Sequence, residues 1–137
     1  MEWTCLIVKP DGVMRGLVEE VKRRIEKSGL KIVKEKRMRL TREKAEALYE
    51  VHRGKDFFGP LINFMISGDI VAMIVEGENA IQIVRQLVGP TNPSNAPKGT
   101  IRGDFGTSTR ENVVHASDSP ESARYEISLL FPENPKL

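Results

Sequence analysis

Six apolar residues in a row, Ile70-Val71-Ala72-Met73-Ile74-Val75, narrow the folds open to this chain more than any other feature. Their length and β-branched content read as a strand buried on both faces. A membrane-spanning helix needs about 20 apolar residues, so nothing here is expected to cross a bilayer. A buried strand needs neighbours, and the flanking sequence supplies them. Residues 3–8 alternate large and β-favouring side chains before the Lys9-Pro10-Asp11-Gly12 breaker, which predicts a first strand ending in a turn. Leu17, Val18, Val21 and Ile25 then recur at helical spacing up to the stop at Ser28-Gly29. Residues 30–40 predict a basic second strand with one solvent-facing side.

Further along, Thr41 can cap a helix whose inner face carries Ala45, Leu48 and Val51. Leu61, Phe64 and Met65 fit another short helix. Asn79 with Gln82 three residues on resembles a capping box for a helix with Ala80, Ile81, Val84, Leu87 and Val88 inside. Residues 89–106 lose all periodicity and form a long loop rich in Pro, Asn, Thr and Gly, of the kind that is usually functional. A fourth short strand around Val113-Val114 leads to Ser119-Pro120, an N-cap followed by proline at the first helical position, with Ala123, Ile127 and Leu130 forming the buried stripe. The order strand, helix, strand, helix pair, strand, helix, strand, helix predicts an α+β fold. It is a ferredoxin-like split βαβ sandwich, in which helices cover one face of a four-stranded antiparallel sheet.

At 137 residues, with 39% apolar and 29% charged residues, the chain reads as one soluble domain, 1–137. The N-terminus lacks the basic start and long apolar centre of a secretory signal, so a cytoplasmic location is expected. Cys5 is the only cysteine, which excludes an internal disulfide, and its flanks suggest a small buried hydrophobe. Eleven of the 21 Lys and Arg fall between Lys22 and Lys44, accompanied there by Glu26, Glu35 and Glu43. Such a cluster can mark a nucleic-acid footprint, but it reads first as an exposed helix face followed by a Lys-protected edge strand.

No G-x-x-x-x-G-K-[ST] loop, no G-x-G-x-x-G after a strand, no HExxH and no paired CxxC occurs. What remains is a set of residues at breaks in the apolar pattern: Lys9, Tyr49, Phe57, Arg85, Thr91, Arg102, Asn112, His115, Ser117 and Glu126. His52, at a helix end, reads as structural. His115 stands between a short strand and a helix N-terminus, with Ser117 and Asp118 beside it. A free imidazole titrates near pH 6.5 and is mostly neutral at pH 7, so one ring nitrogen can attack phosphorus without a separate base. Glu126, about two turns into the next helix, is the candidate to hold the other nitrogen, with Ser117 assisting. Phosphoryl transfer otherwise asks for positioning and positive charge, which Lys9, Arg85 and Arg102 can supply from three separate segments, with Thr91 adding a hydroxyl.

The segments Lys9-Pro10-Asp11-Gly12-Val13, Gly99-Thr100-Ile101-Arg102-Gly103-Asp104-Phe105 and Asn112-Val113-Val114-His115-Ala116-Ser117-Asp118-Ser119 closely resemble the hallmarks of nucleoside diphosphate kinases, and the similarity runs essentially end to end. The resemblance implies a ping-pong exchange in which His115 takes a phosphoryl group from a nucleoside triphosphate such as ATP or GTP and passes it to a diphosphate. It places Tyr49, Arg85, Thr91 and Arg102 on the phosphates, Lys9 and Asn112 on sugar and phosphates, Phe57 under the base and Leu61 across the stacking site. Stacking without base-edge hydrogen bonds tolerates every nucleobase. Magnesium would arrive on the substrate phosphates with its waters, without a protein carboxylate cage.

The family also implies homo-oligomers, tetramers or hexamers; the short stretch after the last helix at Phe131 lacks the long extension of many hexameric members, but short hexamers also exist, and a hexamer is the expectation. Five positions depart from the usual pattern. Val51 replaces a common Asp or Glu, which weakens any water-mediated help to magnesium. Ala116 replaces glycine, Pro97-Lys98 reverses the usual order, and Asp69 replaces proline; no catalytic group is lost. Two rivals remain open: a nucleic-acid-binding module, for which Trp3 alone supplies an aromatic in a predicted strand, and an acylphosphatase-like hydrolase on the same fold.

Overall fold

In the computed structural model, which describes residues 1–133, the apolar run forms the heart of β3 (Ile70–Gly77). The last four residues of the expected domain, 134–137, lie outside the described residues. Strand β1 (Glu2–Val8) pairs with β3 antiparallel and in continuous register, from Glu2 opposite Gly77 to Val8 opposite Val71. Adding β2 (Lys31–Met38) and β4 (Val114–Ala116) gives the order β2-β3-β1-β4, with every pair antiparallel. This is the ferredoxin-like α+β sheet that the element order predicts.

Helices cover both faces of the sheet, which corrects the one-face expectation. On one side Cys5, Ile7, Ala72 and Ile74 pack on α3 (Arg42–Leu48), α4 (Phe58–Met65) and α7 (Pro120–Leu130) through Leu48, Ile62, Met65, Ile127 and Leu130. On the other, Leu6, Val8, Val71, Met73 and Val75 meet α2 (Val18–Lys27) and α5 (Ala80–Val88) through Val21, Ile25, Val84 and Val88. The reason lies in the strands. Their side chains point alternately to the two faces, and because both sets are apolar, each face must be removed from water. Cys5 is fully buried among them, as its flanks suggest.

Local signals explain most helix ends. Thr41 Oγ1 accepts from Lys44 N (3.1 Å) to cap α3, and Ser119 Oγ accepts from Ser122 N (3.0 Å) ahead of Pro120 in α7. The cap of α5 is different. Asn79 adopts a left-handed φ of 56° and makes no side-chain cap; instead Glu2 Oε1, arriving from β1, accepts from Ile81 N at 2.9 Å. Helix α3 also stops at Leu48, so Val51 falls in a single 3₁₀ turn, Glu50–His52, and is 82% exposed rather than inward-facing.

Two segments read as irregular contain helix. Pro10 starts α1 (Pro10–Met14), with Asp11 in its first turn. The long loop includes a 3₁₀ turn, Pro93–Asn95, and α6 (Ile101–Phe105), which is capped by Thr100 Oγ1 accepting from Gly103 N at 3.0 Å. Strand β4 includes His115 itself, because β1 supplies Ile7 as its partner.

About half of the basic cluster is paired with acids, most of them from outside it. Arg23 and Arg24 contact Glu20 (both 2.7 Å), Arg37 contacts Asp69 (3.0 Å) and Lys36 contacts Glu133 (3.3 Å), while Lys22 meets Glu35 (2.7 Å). Asp69, one of the departures from the family pattern, is thus a partner for the edge strand. Among the described residues no helix is long and apolar enough to cross a membrane.

Because Glu2 rather than Asn79 satisfies the α5 N-terminus, Glu2→Ala should lower stability by about 1 kcal/mol in urea unfolding. Asn79→Gly, which relieves a positive φ, should leave stability unchanged or raise it.

Candidate active site

The topology brings the C-terminal end of β1 beside β4, and the helices around that corner enclose a cavity of about 550 Å³. Its lining draws on nearly every segment singled out in the sequence. Lys9 follows β1, Tyr49 closes α3, Phe57 and Leu61 belong to the start of α4, and Arg85 projects from α5. Thr91 and Asn112 come from loops, Arg102 from α6, His115 from β4 and Glu126 from α7. Ser117 is the one member that does not line the cavity. It is buried behind it and donates to Glu126 Oε1 at 2.6 Å.

His115 sits opposite Ile7 in the ladder and so faces the α3–α4–α7 side of the sheet. Its Nε2 lies 3.0 Å from Glu126 Oε1. The approach is short, but its angle is poor for an N–H donor, and Nε2 is sealed from solvent without an aligned hydrogen bond. Nδ1 is therefore the ring nitrogen left to the cavity. The Tyr49 ring meets the imidazole edge-on, with centroids 5.4 Å apart. Tyr49 turns its hydroxyl to Met65 Sδ (3.7 Å), and burial, followed by the Glu126 charge, pushes this phenol above its ordinary range.

Positive charge is concentrated here and left largely unmatched. Arg102 is only 6% exposed; it donates to Gly89 O (3.0 Å) and Val114 O (2.8 Å), and its Nε is buried without a partner. Among the described residues it has no carboxylate partner. Burial, then the neighbouring Arg85 charge, lowers its pKa to about 10. Arg85 itself donates to Ala116 O (3.2 Å). The Ala116 side chain that replaces glycine packs into the apolar cluster below.

Lys9 Nζ donates to Asn112 Oδ1 at 2.8 Å, and Asn112 Nδ2 in turn donates to Thr91 O (2.9 Å) and Thr109 O (3.0 Å). One amide thus ties the lysine to both loops. Burial, then the Arg102 charge, lowers the Lys9 pKa to about 7, against a smaller raising effect of Asp11.

Sequence reasoning missed several lining residues, Arg110, His52 and Tyr125 among them. His52 stacks with Tyr49 (6.2 Å) and lies 5.1 Å from Phe57, with Nδ1 3.1 Å from Lys55 Nζ. Its helix-end position suggested a structural role, whereas its place between Tyr49 and Phe57 was the available signal. Tyr125 also lines the cavity and donates to Ala47 O at 2.7 Å; no sequence signal distinguished it from a surface residue of α7. Val51 stands on the rim.

Comparison with known proteins identifies the family. The family model described as Nucleoside diphosphate kinase matches residues 2–135. The chain belongs to that family. A nucleoside diphosphate kinase of Staphylothermus marinus is 58% identical over 133 residues, covering 97% of this chain and 94% of that one. That of Archaeoglobus fulgidus is 58% identical over 134 residues, covering 98% and 89%. Among solved structures, the nucleoside diphosphate kinase of Encephalitozoon cuniculi superposes with a TM-score of 0.94 at 40% identity, covering 96% of this chain and 89% of that one. The Aquifex aeolicus enzyme gives 0.92 at 46% identity, covering 95% and 94%. The chain is a nucleoside diphosphate kinase and moves a phosphoryl group between nucleotides.

The Lys9 shift has a stability consequence. Between pH of about 7 and the ordinary lysine range, the unfolded chain holds a proton that folded Lys9 has released, so this group makes stability rise with pH in that window. Unfolding titrations should therefore find wild type gaining on Lys9→Met by more than about 1 kcal/mol from pH 7 to pH 10.

Proposed function

We propose that the exchange runs by a ping-pong route through a phosphohistidine on His115, the whole chain acting as one catalytic domain. Nδ1 attacks the γ-phosphorus of a bound nucleoside triphosphate. The N–P bond forms as the bond to the bridging oxygen breaks, and the nucleoside diphosphate leaves with that oxygen. In the second half-reaction a terminal β-phosphate oxygen of another diphosphate attacks the phosphohistidine and frees the imidazole. Glu126, steadied by Ser117, lies against Nε2, and its charge favours the tautomer with the proton on that nitrogen through both steps. The observation that carries this reading is the 3.0 Å approach of His115 Nε2 to Glu126 beside an arginine buried without an anion.

The remaining residues position substrate. Arg102, Arg85 and Thr91 receive the phosphates, with Tyr49 bracing the imidazole on the phosphate side. Lys9 and Asn112 hold sugar and phosphates. Phe57 is 43% exposed, free to stack on a base, with Leu61 beside it, and stacking leaves the base identity open among ATP, GTP and other nucleotides. Lys55 Nζ at 3.1 Å from His52 Nδ1 makes that nitrogen an acceptor, which presents Nε2–H of His52 as a further donor in the cavity.

Magnesium suits this site as a passenger on the phosphates. Among the described residues no group of three or more His, Cys, Asp or Glu stands ready to hold a metal ion, and an ion bound to phosphates and water needs none. Asp118 is the lining carboxylate without an ion-pair partner among the described residues. When bound, the ion would neutralise charge on the transferring group.

Self-association as a homo-oligomer follows the family resemblance and the open backbone edge of β2; the preference for a hexamer over a tetramer rests on the resemblance alone. A cytoplasmic location rests on that resemblance as well. Nucleic acid is not a favoured partner, since Lys22, Arg23, Arg24, Lys34, Lys36 and Arg37 of the basic cluster are paired with acids.

Brief exposure to γ-labelled ATP should leave an acid-labile, base-stable label on the wild type and none on His115→Ala; a wild-type chain that never takes label sinks the route. Arg102→Ala should slow transfer by about 10² or more, and an unchanged rate would remove Arg102 from the site.

A further inference from the structure

One residue beside the nucleophile is held in a conformation that its chemistry resists. Val113 has a φ of 77°, in a region that the Cβ of an L-residue disfavours and that a β-branched side chain disfavours most. Val114 N donates to Asn112 O across it (2.9 Å), closing a three-residue γ-turn immediately before β4. The Val113 side chain is itself fully buried in the apolar cluster. Left to local preference, this residue would relax toward an extended conformation and carry Val114 and His115 with it.

The segment after β1 grips the turn from three sides. Val113 N donates to Asp11 Oδ2 at 3.1 Å, and Lys9 N donates to Val113 O at 2.8 Å. Gly12 lies so close that a Cβ there would stand 2.7 Å from Val8 Cγ1 and 3.1 Å from Val113 Cγ1. Only Asp11 does this with a side chain, and at a cost to itself. It is 8% exposed, its Oδ1 is buried without a partner, and burial raises its pKa.

A buried, half-satisfied carboxylate is not what packing alone would select. Nor is it a salt-bridge partner for Lys9, whose Nζ bonds Asn112 Oδ1 instead; no Lys9–Asp11 ion pair occurs among the described residues. What depends on the turn is the site. Val114 O is the seat of Arg102 Nη2 (2.8 Å), and the next residue is His115.

We propose that Asp11 is a positioning residue for phosphoryl transfer, whose carboxylate locks Val113 in the strained γ-turn and thereby fixes both His115 and the seat of Arg102. The proposal rests on His115 being the nucleophile. Asp11 touches no reacting atom; it acts through the backbone of Val113. Losing it leaves a buried N–H without an acceptor and frees the turn to relax.

The test uses three variants of the full chain, assayed for kcat and KM at saturating donor and for thermal unfolding. Asp11→Ala should lower kcat about tenfold or more while KM stays within about twofold, since misplacing a reacting group affects the chemical step more than ground-state binding. Asp11→Asn, which keeps an oxygen for Val113 N–H but removes the charge, should retain most of the rate. The double variant Asp11→Ala/Val113→Gly should recover rate relative to Asp11→Ala, because glycine adopts the positive φ without a clamp.

That recovery should come with a lower Tm, since the buried isopropyl group is lost. A merely structural role would move rate and Tm together. The proposal is overturned if Asp11→Ala keeps its kcat, if Asn is as damaging as Ala, or if the double variant is no faster than the single one. Labelling with γ-labelled ATP separates the two layers. An unlabelled wild type removes His115 as nucleophile, whereas a labelled wild type matched in rate by Asp11→Ala removes only the role of Asp11.

Discussion

Residues 5–8 and 70–75 are buried on both sides of the sheet, so the β1–β3 ladder exists only with helices packed on each face. The two cores follow from that requirement, and so does the place of the site. With β3 and β1 central, β2 and β4 become the edges, and β4 can add only to the C-terminal half of β1, opposite Leu6, Ile7 and Val8. Strand alternation then carries His115 to the face covered by α3 and α7, where Tyr49 and Glu126 wait. Its neighbours Val114 and Ala116 anchor the strand in the opposite core.

Around that corner the protein accepts unfavourable electrostatics. Lys9 and Arg102 are buried, and both are pushed toward losing their protons, first by lack of water and then by a neighbouring arginine, Arg102 acting on Lys9 and Arg85 on Arg102. Their hydrogen bonds go to carbonyls and an amide, groups that cannot neutralise them. A polyphosphate is the anion such a cavity lacks, and cations already desolvated and aimed need little rearrangement when it arrives. The γ-turn at Val113 belongs to the same economy of strain: local preference is overridden where the geometry of transfer requires it.

Much of the fold was legible because it is written in local or periodic terms. The apolar run at Ile70, the Thr41 and Ser119 caps and the helical spacing from Val18 to Ile25 each report a short-range preference, and each appears as read. The misreadings share a cause. Asn79 looked like a cap by spacing, but Glu2, distant in sequence, is closer in space. Val51 continued a helical stripe that Tyr49 had already ended. The helices α1 and α6 are single turns of five residues, too short for periodicity to register. His52 was set aside for its surroundings in sequence, while its surroundings in space are Tyr49 and Phe57.

By itself the sequence determined the strand and helix order, the membership of the family and the chemical identity of the candidate groups, since these depend on residue type, spacing and motif. Tertiary structure alone decided that Lys9, Arg85, Thr91, Arg102, Asn112, His115 and Glu126 share one cavity, and that Ser117 stands behind it. It alone decided which ring nitrogen of His115 meets the carboxylate, and that Val113 is bent against its own preference by Asp11. These are relations between residues as far apart as Asp11 and Val113, 102 positions, and they arise only when burial of two apolar cores forces distant segments into contact.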